Sequence, residues 1–207
     1  MTPITLHSFI RFDRGARVRW TALELGLPIV EQKLDFRDGE HKREPYLTLN
    51  PNAVVPAIEF DGQTMFDSTA ICLHLCEQHP EAGLMPRHGE PGRTEALSWL
   101  MHMATSVDRV CFDAFSAKVL APDPVAHAAA IERAQPVVAK IDRHLLNREY
   151  LALERFTLAD ILAGYDLGTL KRGGLPLEEY PAVAAYYQRV TARPAAQASG
   201  FFSGYGL

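Results

Sequence analysis

The residues best placed to do chemistry lie in one stretch, Leu49–Ile71 (LNPNAVVPAIEFDGQTMFDSTAI). Asp67-Ser68 reads as the entry to a helix, where the first backbone N–H groups lack intrahelical partners and attract anions. A peptide carboxylate would suit that place. A plain helix cap would suit it equally, since Asp and Ser are both favoured there. Upstream, Val54-Val55-Pro56 is extended, because Pro56 cannot donate to a ladder and disfavours helix before it. Cys72 and Cys76 lie four apart, with His79 three further on. Metal ligation would fit that spacing, but Leu75 shares the face that must pack on a sheet, so buried apolar cysteines and no metal are expected. His7 and Ser8 are neighbours, yet strand alternation sends them to opposite faces, and no Ser–His–acid arrangement follows.

These residues need elements to position them. Ile4–Phe9 reads as a strand and Ile10–Asp13 as a loop. Ala16, Trp20, Leu23 and Leu27 at helical spacing give a helix over about Arg14–Leu25, which Gly26 can cap. Ile29–Phe36 is a second strand, with Val30, Leu34 and Phe36 on one side. A strand–helix–strand unit of this size implies a right-handed crossover and parallel pairing. Arg37–Arg43 is a polar loop and Glu44–Leu49 a short helix. Ala57–Phe60 and Gln63–Phe66 flank Asp61-Gly62, a hairpin signal. A helix follows over Ser68–Gln78. The order is β-α-β-(α)-β-β-α, one mixed sheet with helices on its faces.

Glycine and proline alternate through Pro80–Gly92, which marks a linker, and β signals then vanish. The expected organisation is a domain over residues 1–80, a linker over 81–92 and a helical domain over 93–207. In the last, Leu97 to Ala114 step by threes and fours, giving one long helix over Arg93–Lys118. Ile131, Val138, Ile141 and Leu145 mark another, with Pro136 predicting a kink or a shifted start. Thr157-Leu158-Ala159-Asp160 reads as a capping box, a structural device. Pro181 and Pro194 open two more helices. The tail Phe201–Leu207, with its aromatics, is expected to pack on the helices.

Composition narrows the function classes. With 47% hydrophobic and 22% charged residues the chain is that of an ordinary soluble protein. A formal net charge of −4 argues against general nucleic-acid binding. No basic-then-apolar leader is visible at the N-terminus, and no run approaches the roughly 18 apolar residues of a membrane span. Three cysteines, an odd number, favour a reduced compartment over a disulfide framework.

Three motifs in order, GEHK followed by YLTLNPNAVVPAI, then Asp67-Ser68-Thr69-Ala70-Ile71, then Phe156-Thr157-Leu158-Ala159-Asp160-Ile161, resemble those of the glutathione transferase superfamily. The resemblance covers nearly the whole chain. It implies an α/β plus all-α fold: a thioredoxin-like N-terminal domain (βαβ-ββα) and an all-helical C-terminal bundle. It implies glutathione as co-substrate, no metal, a small hydrophobic electrophile, a cytoplasmic homodimer, and no nucleic-acid or membrane partner. Val55 would pair its backbone with the cysteinyl part of glutathione, as an added strand does, and Pro56 would be cis. Ser68 and its helix N-terminus would take the γ-glutamyl carboxylate, with Asp67 near the amine. His41 and Lys42 match positions that hold the glycine carboxylate. Met103, Ser106, Val107 and Val110 would wall the second-substrate site, although a helical core would account for them equally.

The loop that should carry the thiol-activating group departs from the family pattern. A free thiol is only a few per cent ionised at neutral pH, so the family places Tyr, Ser or Cys beside the sulfur. Here alignment puts Phe12, Asp13 and Arg14 at the Ser/Cys region and Ser8 at the tyrosine position. Phe12 cannot donate, and Asp13 would disfavour a thiolate. Arg14 and then Ser8 are the candidates, with a backbone N–H in Ile10–Gly15 as a further one. The expected function is a glutathione-dependent transferase. The alternatives are a non-catalytic glutathione-binding or interaction module, and an isomerase of the maleylacetoacetate type, whose Arg17-Val18-Arg19 run is matched while its catalytic loop is not.

Overall fold

The computed structural model describes residues 3–9 and 13–202. The polypeptide falls into two compact units, one of Met1–Gly83 with Pro194–Leu207 and one of Leu84–Arg193.

The first unit is built on a four-stranded sheet. Its strands are β1 (Ile4–Ser8), β2 (Ile29–Lys33), β3 (Ala57–Phe60) and β4 (Gln63–Phe66), in the order β2-β1-β3-β4. β1 and β2 run parallel, as the crossover helix α1 (Gly15–Glu24) requires, while β3 is antiparallel to both β1 and β4. Leu6 stands opposite Ile58 and His7 opposite Ala57. Alternation therefore puts Leu6 and Ile58, both fully buried, on one face, and His7 and Ala57 on the other. On the second face Tyr46 of the short helix α2 (Tyr46–Leu49) packs with Ala57 and Leu34. Helix α3 (Ser68–Gln78) packs against α1, and Trp20, Ala22, Ile71, Cys72 and Leu75 are buried.

β2 is shorter than its pattern. It ends at Lys33, and Val30 and Phe36 are 54% and 63% exposed rather than inward-facing. The strand lies at a sheet edge, so one side lacks a covering neighbour. The Asp35 side chain also accepts from the N–H groups of Arg37 and Asp38, a local turn that replaces ladder bonds. That turn leads to a single 3₁₀ turn at Glu40–Lys42.

The second unit is helical: α4 (Arg93–His102), α5 (Asp108–Phe115), α6 (Pro124–Leu145), α7 (Leu158–Arg172) and α8 (Pro181–Thr191). The expected long helix is continuous through α4 and α5 but widens into π-type turns at Met103–Val107 and Ser116–Leu120. In the first of these Thr105 donates its hydroxyl to the Met101 carbonyl, the kind of back-bond that bends helices. Pro136 does not delay α6, which begins twelve residues earlier at Pro124 with Asp123 capping Val125 and Ala126. Thirteen of the fifteen residues of α7 are buried, which makes it the central helix of this unit. Among the described residues no helix is long and apolar enough to cross a membrane.

The last helix, α9 (Pro194–Ala198), packs back on α1. Arg19 donates to the Ser199 carbonyl at 3.2 Å, and Phe202 meets the Trp20 ring edge-on at 5.3 Å. Phe201 is buried. The rest of the aromatic tail, including Tyr205, lies outside the described residues.

The cysteines are free and buried. Burial pushes the Cys72 thiol up to about 12 and that of Cys76 higher still. Neither is a thiolate at neutral pH, and thiolate is the reactive form. A disulfide reagent at pH 7 should therefore register almost none of the three thiols in the folded protein and all three in denaturant. Rapid reaction of one thiol without denaturant would contradict the packing.

Candidate functional site

The segment before β3 is fixed from below. Tyr46 donates its hydroxyl to the Val54 carbonyl at 2.6 Å, and Asn50 donates its amide to the same oxygen at 2.7 Å. The Asn50 side-chain oxygen in turn accepts from the Asn52 N–H at 3.0 Å. Burial pushes the Tyr46 phenol up to about 12, so it remains a donor throughout the neutral range. The Val55–Pro56 peptide is cis, as is Glu44–Pro45. Among the described residues no hydrogen bond engages the N–H or C=O of Val55. A half-buried backbone with both groups open is what an incoming extended peptide pairs with.

Helix α3 opens beside it in sequence. Asp67, at φ 71°, turns the chain out of β4. Its side chain accepts from the N–H groups of Thr69 at 2.9 Å and Ala70 at 3.2 Å, and its carbonyl accepts from Ile71. Asp67 thus supplies the cap, and of the first four helical amides the Ser68 N–H has no acceptor among the described residues. Ser68 itself is buried. Its hydroxyl receives Nη1 of Arg17 at 3.4 Å, a long contact from a guanidinium that is only 1% exposed. Arg17 is the buried cation at this helix end that sequence reasoning did not single out as a site residue. The available signal was its place on α1 between Ala16 and Val18, both buried, where a cation needs a reason to be.

The loop into α1 is tied by Asp13. Its carboxylate accepts from the Phe9 N–H at 2.6 Å and the Gly15 N–H at 2.7 Å, joining the end of β1 to the start of the helix. Arg14, half-buried, holds the N-cap position. Ser8 is buried under Gly15, where an added Cβ would sit 3.0 Å from the Ser8 Cβ and 2.6 Å from Asp13 Oδ1. Phe12, and with it Ile10 and Arg11, lies outside the described residues. His7 of β1 bonds Glu59 of β3 at 2.7 Å.

His41 and Lys42 share the 3₁₀ turn but not an environment. Lys42 is exposed, whereas His41 is buried, stacked on Phe36 and met edge-on by Phe9. Burial, and then the Lys42 charge, hold the imidazole pKa below its ordinary value. In the second unit Met103 and Val107 are fully buried in the core, Val110 is half-buried and Ser106 is exposed. Among the described residues no group of three or more His, Cys, Asp or Glu side chains is placed to hold a metal.

Known proteins share this architecture. Residues 15–78 match the glutathione S-transferase N-terminal domain, and residues 107–194 match the C-terminal domain. The structure of a sphingomonad glutathione S-transferase complexed with glutathione is 30% identical and superposes with a TM-score of 0.82 over 94% of this chain and 96% of the other. The chain belongs to the glutathione transferase superfamily. Within the superfamily it is 28% identical to glutathione S-transferase 3 of Zea mays, over 95% of this chain and 93% of that protein. It is 29% identical to the disulfide-bond oxidoreductase YfcG of Escherichia coli, over 79% of each. The family and the thioredoxin-like plus helical fold expected from the three motifs are both borne out.

Proposed function

We propose that this superfamily member binds glutathione in its first unit and directs the bound thiolate at a small hydrophobic electrophile. The observation that carries the reading is the open Val55 backbone in the same unit as an unused helix amide at Ser68, which is backed by a buried guanidinium. Val55 pairs with the cysteinyl backbone. The Ser68 amide and hydroxyl hold the γ-glutamyl carboxylate, and Asp67 lies near the amine. Lys42 supplies charge and His41 a hydrogen bond to the glycyl carboxylate. Arg14 is the proposed thiolate stabiliser, ahead of Ser8, which is closed under Gly15. Lowering a thiol pKa by two units takes about 2.7 kcal/mol, within reach of one desolvated cation assisted by a helix N-terminus. Ser106 and Val110 are the proposed wall residues left outside the core. The assembly is proposed to be a cytoplasmic homodimer.

The test pairs glutathione affinity with the ultraviolet absorbance of bound thiolate against pH. Binding with a thiol pKa below about 7, against roughly 8.5 for a free thiol, is the expected result. Binding with an unshifted pKa and no conjugation of an aryl halide would leave a glutathione-binding module and remove the transferase.

A further inference from the structure

Phe36 is an anomaly: a large apolar side chain, 63% exposed, on a polar loop. Its ring lies over His41 with centroids 5.4 Å apart and planes within 10°. Phe9 closes the other contacts, 4.8 Å from His41 and 5.3 Å from Phe36, edge-on to both. Phe9 is itself anchored through its N–H to Asp13. The imidazole between them is only 4% exposed. Of its two nitrogens only Nδ1 is sealed away without a hydrogen-bond partner among the described residues.

That asymmetry selects a tautomer. A buried N–H without an acceptor is rarer and more costly than an under-used acceptor lone pair. The proton of the neutral ring therefore belongs on Nε2, and the aromatic cover fixes which way that nitrogen points.

We propose that Phe36 is a positioning residue for glutathione: stacked on His41, it holds the imidazole as the Nε2–H tautomer, aimed as a donor at the glycyl carboxylate. The proposal rests on the glutathione reading above. It gives the exposed ring a purpose and divides the labour of the turn. Lys42 attracts the carboxylate through solvent, while His41 fixes it with one directed bond, stronger for its charged acceptor.

The experiment combines imidazole ¹⁵N NMR of the free protein with glutathione affinity for Phe36→Ala, Phe36→Trp, His41→Ala and the Phe36→Ala/His41→Ala pair. His41 should show Nε2–H in the wild type, and mixed, solvent-exchanging tautomers in Phe36→Ala. Phe36→Ala should weaken glutathione binding by on the order of tenfold, Phe36→Trp should retain most of it, and Phe36→Ala should add little once His41 is gone. A proton on Nδ1, an unweakened Phe36→Ala, or fully additive effects would overturn the proposal while glutathione binding by the wild type stands. A wild type that does not bind glutathione removes the functional reading and the proposal with it.

Discussion

Asp160→Ala should cost the second unit about 3 kcal/mol or more, the penalty for leaving several buried donors without their shared acceptor. Asp160 is fully buried at the start of α7. Its Oδ2 accepts from the Thr157 N–H at 2.7 Å and the Thr157 hydroxyl at 2.9 Å. Its Oδ1 accepts from the Leu151 N–H at 2.9 Å and the Tyr186 hydroxyl at 2.8 Å. One carboxylate thus joins the loop before α7, the start of α7 and the body of α8. Alanine takes the acceptor from all four donors, and two of them, the Leu151 and Thr157 N–H groups, are backbone groups that cannot rotate away. Tyr186→Phe removes one donor and leaves the carboxylate three, so about 1 kcal/mol is expected. A graded loss in denaturant midpoint, Tyr186→Phe well above Asp160→Ala, is the measurement, with soluble yield as the reading where Asp160→Ala does not fold. Equal effects from the two variants would show that the carboxylate is not the hub.

The pH consequence has a definite sign. Burial raises the Asp160 pKa, against the pull of its donors. A carboxyl with a raised native pKa contributes most below its ordinary pKa, and that contribution declines as pH rises through the native value. Asp160 therefore does not initiate acid unfolding.

What could be read in the sequence tracks how local each cause is. The hairpin and α3 follow from Asp61-Gly62 and Asp67-Ser68, and their bounds match the structure because turn and cap are decided by neighbouring residues. The Thr157–Asp160 box was legible for the same reason, but its reach to Tyr186, twenty-six residues on, was not. β2 was overextended because alternation alone does not say which strand lies at an edge. The π-type turns left no trace in a pattern of threes and fours. At the candidate site, the positions proposed to contact glutathione came from a resemblance. The supporting residues, Tyr46, Asn50 and Arg17, were missed because their partners at Val54 and Ser68 are set by tertiary packing. Asp13 looked like a charge hostile to a thiolate. In the fold its carboxylate accepts from the Phe9 and Gly15 amides and so ties the two ends of that loop together.

Ser68→Ala should weaken glutathione binding by about 10- to 100-fold, the equivalent of one hydrogen bond to a charged group, while leaving the fold almost unchanged. Two roles compete at the α3 N-terminus, cap and ligand holder, and the geometry separates them. The capping bonds belong to Asp67, whose side chain serves Thr69 and Ala70. Among the described residues the Ser68 hydroxyl makes only the 3.4 Å contact with Arg17, too long to contribute much to stability. Removing it should barely move the melting temperature. Asp67→Ala should behave in the opposite way: a cap is worth about 1 kcal/mol, and alanine tolerates φ 71° poorly. Ser68→Thr keeps the hydroxyl and should keep most of the affinity. Arg17→Lys tests the buried charge behind it, since a single ammonium cannot reproduce the guanidinium fork. Loss of affinity in Ser68→Ala at constant stability assigns Ser68 to the ligand. Loss of stability at constant affinity would return the whole Asp67-Ser68 pair to capping, and the γ-glutamyl end of the proposed site would have to be sought elsewhere in the first unit.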